Sequence, residues 1–130
     1  MGIKDRIKFW KDNSHPEEPS EDDWPDSVEI LGGDDFYEFI DKFPLTLIDF
    51  HSPHCGPCRA MSPKIRKLAK RYKNQVAFGK VNVAEQKEVA KEYGVSSVPT
   101  IIIFEWGKQK KFIVGKRSMA DIRNILDRVL

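Results

Sequence analysis

The chain has 130 residues, one domain's worth, with 40% hydrophobic and 32% charged residues. That length builds a core without disulfide or metal staples, and no apolar run approaches the roughly 20 residues of a membrane span. The net charge of +2 is unevenly divided: residues 1–27 carry four Lys/Arg against eight Asp/Glu, residues 28–130 eighteen against twelve.

Residues 1–12 place Ile3, Ile7 and Trp10 at helical spacing among Lys and Arg side chains. Such a helix is too short to be stable alone. It reads either as a frayed arm or as a segment that docks on a membrane surface or a partner. Arg6 stands where a myristoylation signal has Ser or Thr, and the start lacks the apolar stretch of a secretory leader. Residues 13–27 hold three prolines and six acids and read as an acidic flexible linker, in which only Trp24 has much surface to bury. An N-terminal extension over 1–27 and a domain over 28–130 are expected.

Within that domain, residues 27–31 predict a short strand. After Gly32-Gly33, residues 34–43 predict a helix with Asp34 as its cap and Phe36, Phe39, Ile40 and Phe43 on one face. Pro44 ends it. LTLIDF (45–50) predicts a mostly buried strand. Residues 59–73 predict a helix kinked at Pro63, 76–83 a strand, and 85–94 a helix stopped by Gly94. TIIIFE (100–105) predicts an apolar strand, 106–108 a turn, and 111–116 the returning strand of a hairpin. A final helix over 118–130 is capped by Ser118. The order β-α-β-α-β-α-β-β-α demands right-handed crossovers. The fold class is therefore α/β, with a central mixed five-stranded sheet flanked by helices on both faces.

The stretch HSPHCGPC, residues 51–58, carries the chemistry. His51, His54, Cys55 and Cys58 are the residue types of a structural zinc site. Two thiols spaced C-x-x-C are equally the working parts of a dithiol redox centre. Structural zinc sites draw ligands from two separated knuckles, whereas here all four candidates crowd one strand-to-helix turn. The redox reading is preferred, and no metal or other cofactor is expected. The chain has only these two cysteines, so no disulfide framework is available and a reducing, cytoplasmic location is expected.

Cys55 follows a strand and opens a helix, where free N–H groups and the helix dipole favour a thiolate. Cys58 lies one turn further in. Gly56 and Pro57 keep the turn tight. Asp49 interrupts an apolar strand. It reads either as a buried acid with a raised pKa, able to exchange a proton with Cys58 near Lys80, or as a solvent-facing acid at a strand end. Pro99, just before TIIIFE, leaves both peptide isomers open, with trans the commoner.

Taken together, Asp49-Phe50, Cys55-Gly56-Pro57-Cys58, Pro63, Lys80 in GKVNV, Val98-Pro99-Thr100, FEWG (104–107) and Val114-Gly115 resemble the thioredoxin family across residues 28–130. The resemblance implies a thioredoxin fold with Pro99 in cis. It implies Cys55 as nucleophile, Cys58 as resolving thiol, and Asp49 as the buried proton-transfer group beside Lys80. It further implies a substrate-binding surface of His54, Gly56, Pro57, Val98, Pro99, Thr100 and Gly115. The implied activity is reduction of protein disulfides by a monomer. Electrons come from a thioredoxin reductase, flavin- or ferredoxin-dependent, and pass to disulfide-bearing client proteins; no nucleic-acid or membrane partner is expected.

Two residues depart from the family pattern. His54 stands where thioredoxins usually carry Trp, and His51 where an aromatic is usual. A protonated His54 would stabilise the Cys55 thiolate and make the disulfide more oxidising. The alternative is a solvent-facing His54 that only shapes partner choice. Two other functions remain open at this level: a disulfide oxidase or isomerase tuned by His54, and a non-enzymatic binding module of the same fold.

Overall fold

The computed structural model describes residues 18–130. The amphipathic reading of residues 1–12 and the first part of the acidic linker lie outside the described residues. Five strands and four helices follow in order: β1 (Glu29–Ile30), α1 (Asp34–Lys42), β2 (Leu45–His51), α2 (Gly56–Arg71), β3 (Ala77–Asn82), α3 (Lys87–Glu92), β4 (Thr100–Glu105), β5 (Lys108–Val114) and α4 (Met119–Val129). The sheet order is β1-β3-β2-β4-β5. β3 runs parallel to β1 and β2, while β4 is antiparallel to β2 and β5 to β4. This is the expected mixed sheet with helices on both faces.

Alternation along β2 builds two cores. Leu45 and Leu47 join Met61, Ile65 and Leu68 of α2 and Ile122 and Leu126 of α4. Ile48 and Phe50 face the other way, onto Phe36 and Ile40 of α1 and Val89 of α3. Asp49 therefore belongs to the α2 face, by the same period of two that buries its neighbours. Gly79 of β3 leaves room for the side chain that follows β1: a Cβ there would lie 2.4 Å from Leu31 Cδ1.

Several element ends differ from the sequence expectation, each for a local reason. α2 starts at Gly56, three residues early, because Gly-Pro continues into the first turn. Pro57 has no N–H to lose where none would be paired. The helix then runs through Pro63, which cannot donate to the Arg59 carbonyl. At α1 the capping position is Gly33, at φ +52°, and Asp34 is the first helical residue, its carboxylate at the positive end of the dipole. α3 is shorter than expected. It closes when Gly94 donates to the Lys91 carbonyl and Val95 to Ala90, with Gly94 at φ +69°. β5 begins directly after a two-residue turn, Trp106-Gly107, in which both residues have positive φ. The strand expected over 111–116 thus starts three residues earlier, at Lys108, where exposed polar side chains gave no strand pattern.

The acidic stretch is anchored at its end. The Ser20 N–H donates to Asp23 Oδ2 at 3.0 Å across a 3-10 turn, Glu21–Asp23. Trp24 is only 9% exposed and packs on Phe43 and Ala77. Asp23 lies 3.9 Å from Lys42, and Asp26 pairs with Lys73. Trp24, the one residue of this stretch with much surface to bury, thus contacts the domain and supplies apolar burial that the composition otherwise lacks. Trp24→Ala is expected to cost about 3 kcal/mol of stability, measured as the shift of the urea unfolding midpoint. A freely flexible linker would show no shift.

Candidate functional site

β2 and β3 end side by side, and α2 begins where β2 stops. That junction holds the C-x-x-C pair. Cys55 and Cys58 are disulfide-linked, with Cα atoms 5.2 Å apart. Cys55 is the N-cap of α2, and its sulfur accepts the Cys58 N–H at 3.2 Å. A sulfur thus takes the place usually filled by a Ser or Asp oxygen. An anion formed on Cys55 sits against unpaired helix N–H groups, which favour the thiolate. His54, Gly56 and Pro57 around it are exposed.

The loop before β4 closes the other side. The Val98-Pro99 peptide is cis, and the Val98 carbonyl lies 3.8 Å from Cys55 Sγ. The Gly115 N–H donates to the Pro99 carbonyl at 2.8 Å, which joins the end of β5 to the same loop. Gly115 has φ +93°, a conformation that favours glycine. Of the residues expected on the substrate surface, Pro99 and Thr100 are not at the surface. The Thr100 hydroxyl donates to the Ser97 carbonyl at 2.7 Å, so that side chain holds the loop's shape from within. Val98 and Gly115 are the partly exposed members.

Beneath the disulfide is a cleft of about 170 Å³ lined by Asp49, His51, Cys58, Arg59, Ser62 and Lys80, among others. Asp49 and Lys80 are register partners across β2 and β3. Asp49 is 4% exposed, and its Oδ1 has no protein hydrogen-bond partner. Burial pushes its carboxyl up from 3.8 to about 6; the Lys80 ammonium pulls it down, and burial wins. Of the two readings open for this residue, the buried acid is the one observed.

His51 is the site residue that sequence reasoning did not place. It lines the same cleft as Asp49 and Cys58. Burial, assisted by Lys80 and opposed by Glu85, lowers its pKa and so favours the neutral ring. Its signal was available, since residues 49 and 51 share a face of any strand. Among the described residues no group of three or more His, Cys, Asp or Glu side chains is disposed to hold a metal ion.

The thioredoxin family model matches residues 27–128. The chain belongs to the thioredoxin family. Thioredoxin 1 of Synechococcus elongatus is 40% identical over 93 residues, covering 72% of this chain and 87% of that protein. A chloroplastic M-type thioredoxin of Zea mays is 36% identical over 84 residues, 65% of this chain and 50% of that one. Among solved structures, a mutant thioredoxin from Halobacterium salinarum superposes with a TM-score of 0.76 at 27% identity, covering 81% of this chain and 92% of that chain. As a thioredoxin, the protein is an oxidoreductase that works on protein disulfides by dithiol–disulfide exchange at a C-x-x-C pair. Thioredoxins partner with reductases and with disulfide-bearing clients. Among the described residues no helix is long and apolar enough to cross a membrane.

The Asp49 shift has a sign that can be checked. The folded protein holds this proton up to about pH 6, whereas the unfolded chain releases it near 3.8. Stability contributed by the protonated form is therefore lost as pH rises through that window, leaving a cost of roughly 3 kcal/mol above it. Asp49→Asn is expected to match the parent protein at pH 4 and to exceed it by up to about 3 kcal/mol at pH 7. Urea unfolding of both oxidised proteins at the two pH values tests this.

Proposed function

We propose that the protein is a general protein-disulfide reductase in which Cys55 is the nucleophile, Cys58 the resolving thiol, and Asp49 with Lys80 the proton-transfer pair. In the reduced protein the Cys55 thiolate attacks one sulfur of a client disulfide. A Cys55–client disulfide forms and one client thiolate leaves. Cys58 then gives its proton to the Asp49 carboxylate. Its thiolate attacks Cys55 Sγ, the second client thiolate leaves, and the Cys55–Cys58 bond forms. Two electrons have passed to the client, which ends as a dithiol once its thiolates are protonated.

The observation that carries this reading is the shared cleft: Asp49, with a carboxyl raised to about 6, and Cys58 line the same polar space. A carboxylate poised near neutral pH accepts a thiol proton more readily than one at its ordinary value. Val98, Gly115 and the exposed His54, Gly56 and Pro57 frame the approach to Cys55 and fit a client backbone there. The electron source is a reductase of the flavin- or ferredoxin-dependent type, and the working form is a cytoplasmic monomer. The reducing direction depends on His54. This exposed imidazole directly precedes the nucleophile, where its positive form favours the Cys55 thiolate and raises the reduction potential.

Incubation of reduced Cys58→Ser with a disulfide-bearing client is expected to trap the Cys55–client disulfide, seen as a mass increment removed by dithiothreitol. Cys55→Ser is expected to trap nothing and to have no reductase activity. Absence of the trapped species in Cys58→Ser would overturn these roles. Asp49→Asn is expected to slow turnover by about 10²-fold, the lower end of the range for general acid–base catalysis. Equilibration against a glutathione series reads the potential, and His54→Trp is expected to be more reducing than the parent. A strongly oxidising parent value would favour oxidase or isomerase work.

A further inference from the structure

The chain carries 20 Asp and Glu, yet none lies between Asp49 and Glu85, between Glu92 and Glu105, or between Glu105 and Asp121. Those gaps contain the three segments that meet at the disulfide: the turn into α2, the Val98-Pro99 loop, and the end of β5 with the loop to α4. Contacts bind them into one surface. The Arg117 N–H donates to Met61 Sδ at 3.4 Å, Lys64 Nζ reaches the Arg117 carbonyl at 3.5 Å, and the Arg59 guanidinium donates to the Pro53 carbonyl at 3.3 Å. Lys116 and Arg117 therefore stand beside the first turns of α2.

Ion pairs among the described residues include Lys42 with Asp23, Lys73 with Asp26, and Lys110 with Glu105. Among the described residues Arg59, Lys64, Lys116 and Arg117 form no ion pair with a carboxylate. On β5, Phe112 is 39% and Val114 49% exposed, and alternation turns both away from Ile113 and the α2 face. Basic side chains thus flank the disulfide on segments that carry no acid of their own.

Resting on the proposed role of Cys55, we infer that these basic residues form a rim that selects clients whose disulfide is flanked by Asp or Glu in an extended segment. Arg59 and Lys64 lie four and nine residues after Cys55, which is about 6 and about 13 Å along a helix axis. An extended client covers those distances in about two to four residues. Carboxylates at such spacing meet the rim while the disulfide sulfur meets Cys55. Exposed charges of this kind act chiefly on the rate of productive encounter, by factors on the order of 10 to 10³ that fall with ionic strength. The effect fades as the screening length shrinks to about 10 Å at 0.1 M salt.

The test uses the full-length reduced protein and three peptides with the same disulfide loop, flanked by Asp/Glu, by Ser/Asn, or by Lys. At low salt the acidic peptide is expected to be reduced with a kcat/KM on the order of tenfold above the neutral one, and the basic peptide more slowly than either. Added salt should erase the ranking. Lys116→Glu with Arg117→Glu, two exposed positions, should shrink or invert it. Equal rates on all three peptides at low salt would overturn the rim's role while leaving the dithiol chemistry intact. Reduction of none of them would overturn the proposed function and this inference with it. A ranking that survives both high salt and the double variant would also overturn it, because a nearby exposed charge cannot act that way.

Discussion

Strand β2 has hydrogen-bonded neighbours on both edges and packed side chains on both faces, and everything else is hung from it. Leu47 must enter one core while Ile48 and Phe50 enter the other. A slip of one residue would exchange the two sets and carry Asp49 to the opposite side of the sheet. The pairing with β3 sets Lys80 opposite Asp49, and the pairing with β4 sets Ile101 there on the other edge. The last residue of β2 then delivers the chain into the turn that carries both sulfurs. The address of the buried acid and the address of the disulfide are thus consequences of one register.

Two electrostatic devices at this address work against stability and for chemistry. A carboxyl without a protein partner for Oδ1 is held under the disulfide, its burial only partly offset by Lys80. The N-terminus of α2 presents N–H groups to a sulfur, which suits an anion better than the neutral thiol. The hydrophobic layers on either side have enough interlocked surface to hold both in place. Phe36 alone meets Phe50, Tyr93 and Phe104 edge-on, at centroid distances from 5.5 to 6.2 Å. This packing lies on the face of β2 opposite Asp49 and fixes the strand that carries it.

Much of this was legible in the residues. Period-two runs such as TIIIFE and period-3.6 runs such as residues 119–129 declare their elements because burial demands those repeats. The C-x-x-C pair, Asp49 and the proline before β4 stood out because each breaks an otherwise bland pattern. Other features depend on partners far away in sequence. Trp24 sits in the most acidic stretch, and only its packing on Phe43 and Ala77 shows that the stretch is tied down. β5 was expected from residue 111 onward, but its first residues, Lys108 to Lys110, are all exposed and carry no hydrophobic signal. Thr100 looked like part of a surface motif, but its orientation follows from the hydrogen bond to Ser97, which no local pattern encodes. His51 was visible as a departure from the family, and its place beside Asp49 needed only the strand period.

Among the described residues the sheet ends at β1 and at β5, and unpaired strand edges invite other chains to add on. The two are guarded differently. β1 is two residues long, too short to template a partner. β5 is seven residues long, with Lys108, Lys110 and Lys111 exposed along it. A strand arriving there would have to crowd against three ammonium groups, and a register irregularity at the Ile103/Phe104 pairing further disturbs the ladder. These lysines act as a barrier to aggregation, so the longer edge of the sheet is kept from polymerising through its own backbone.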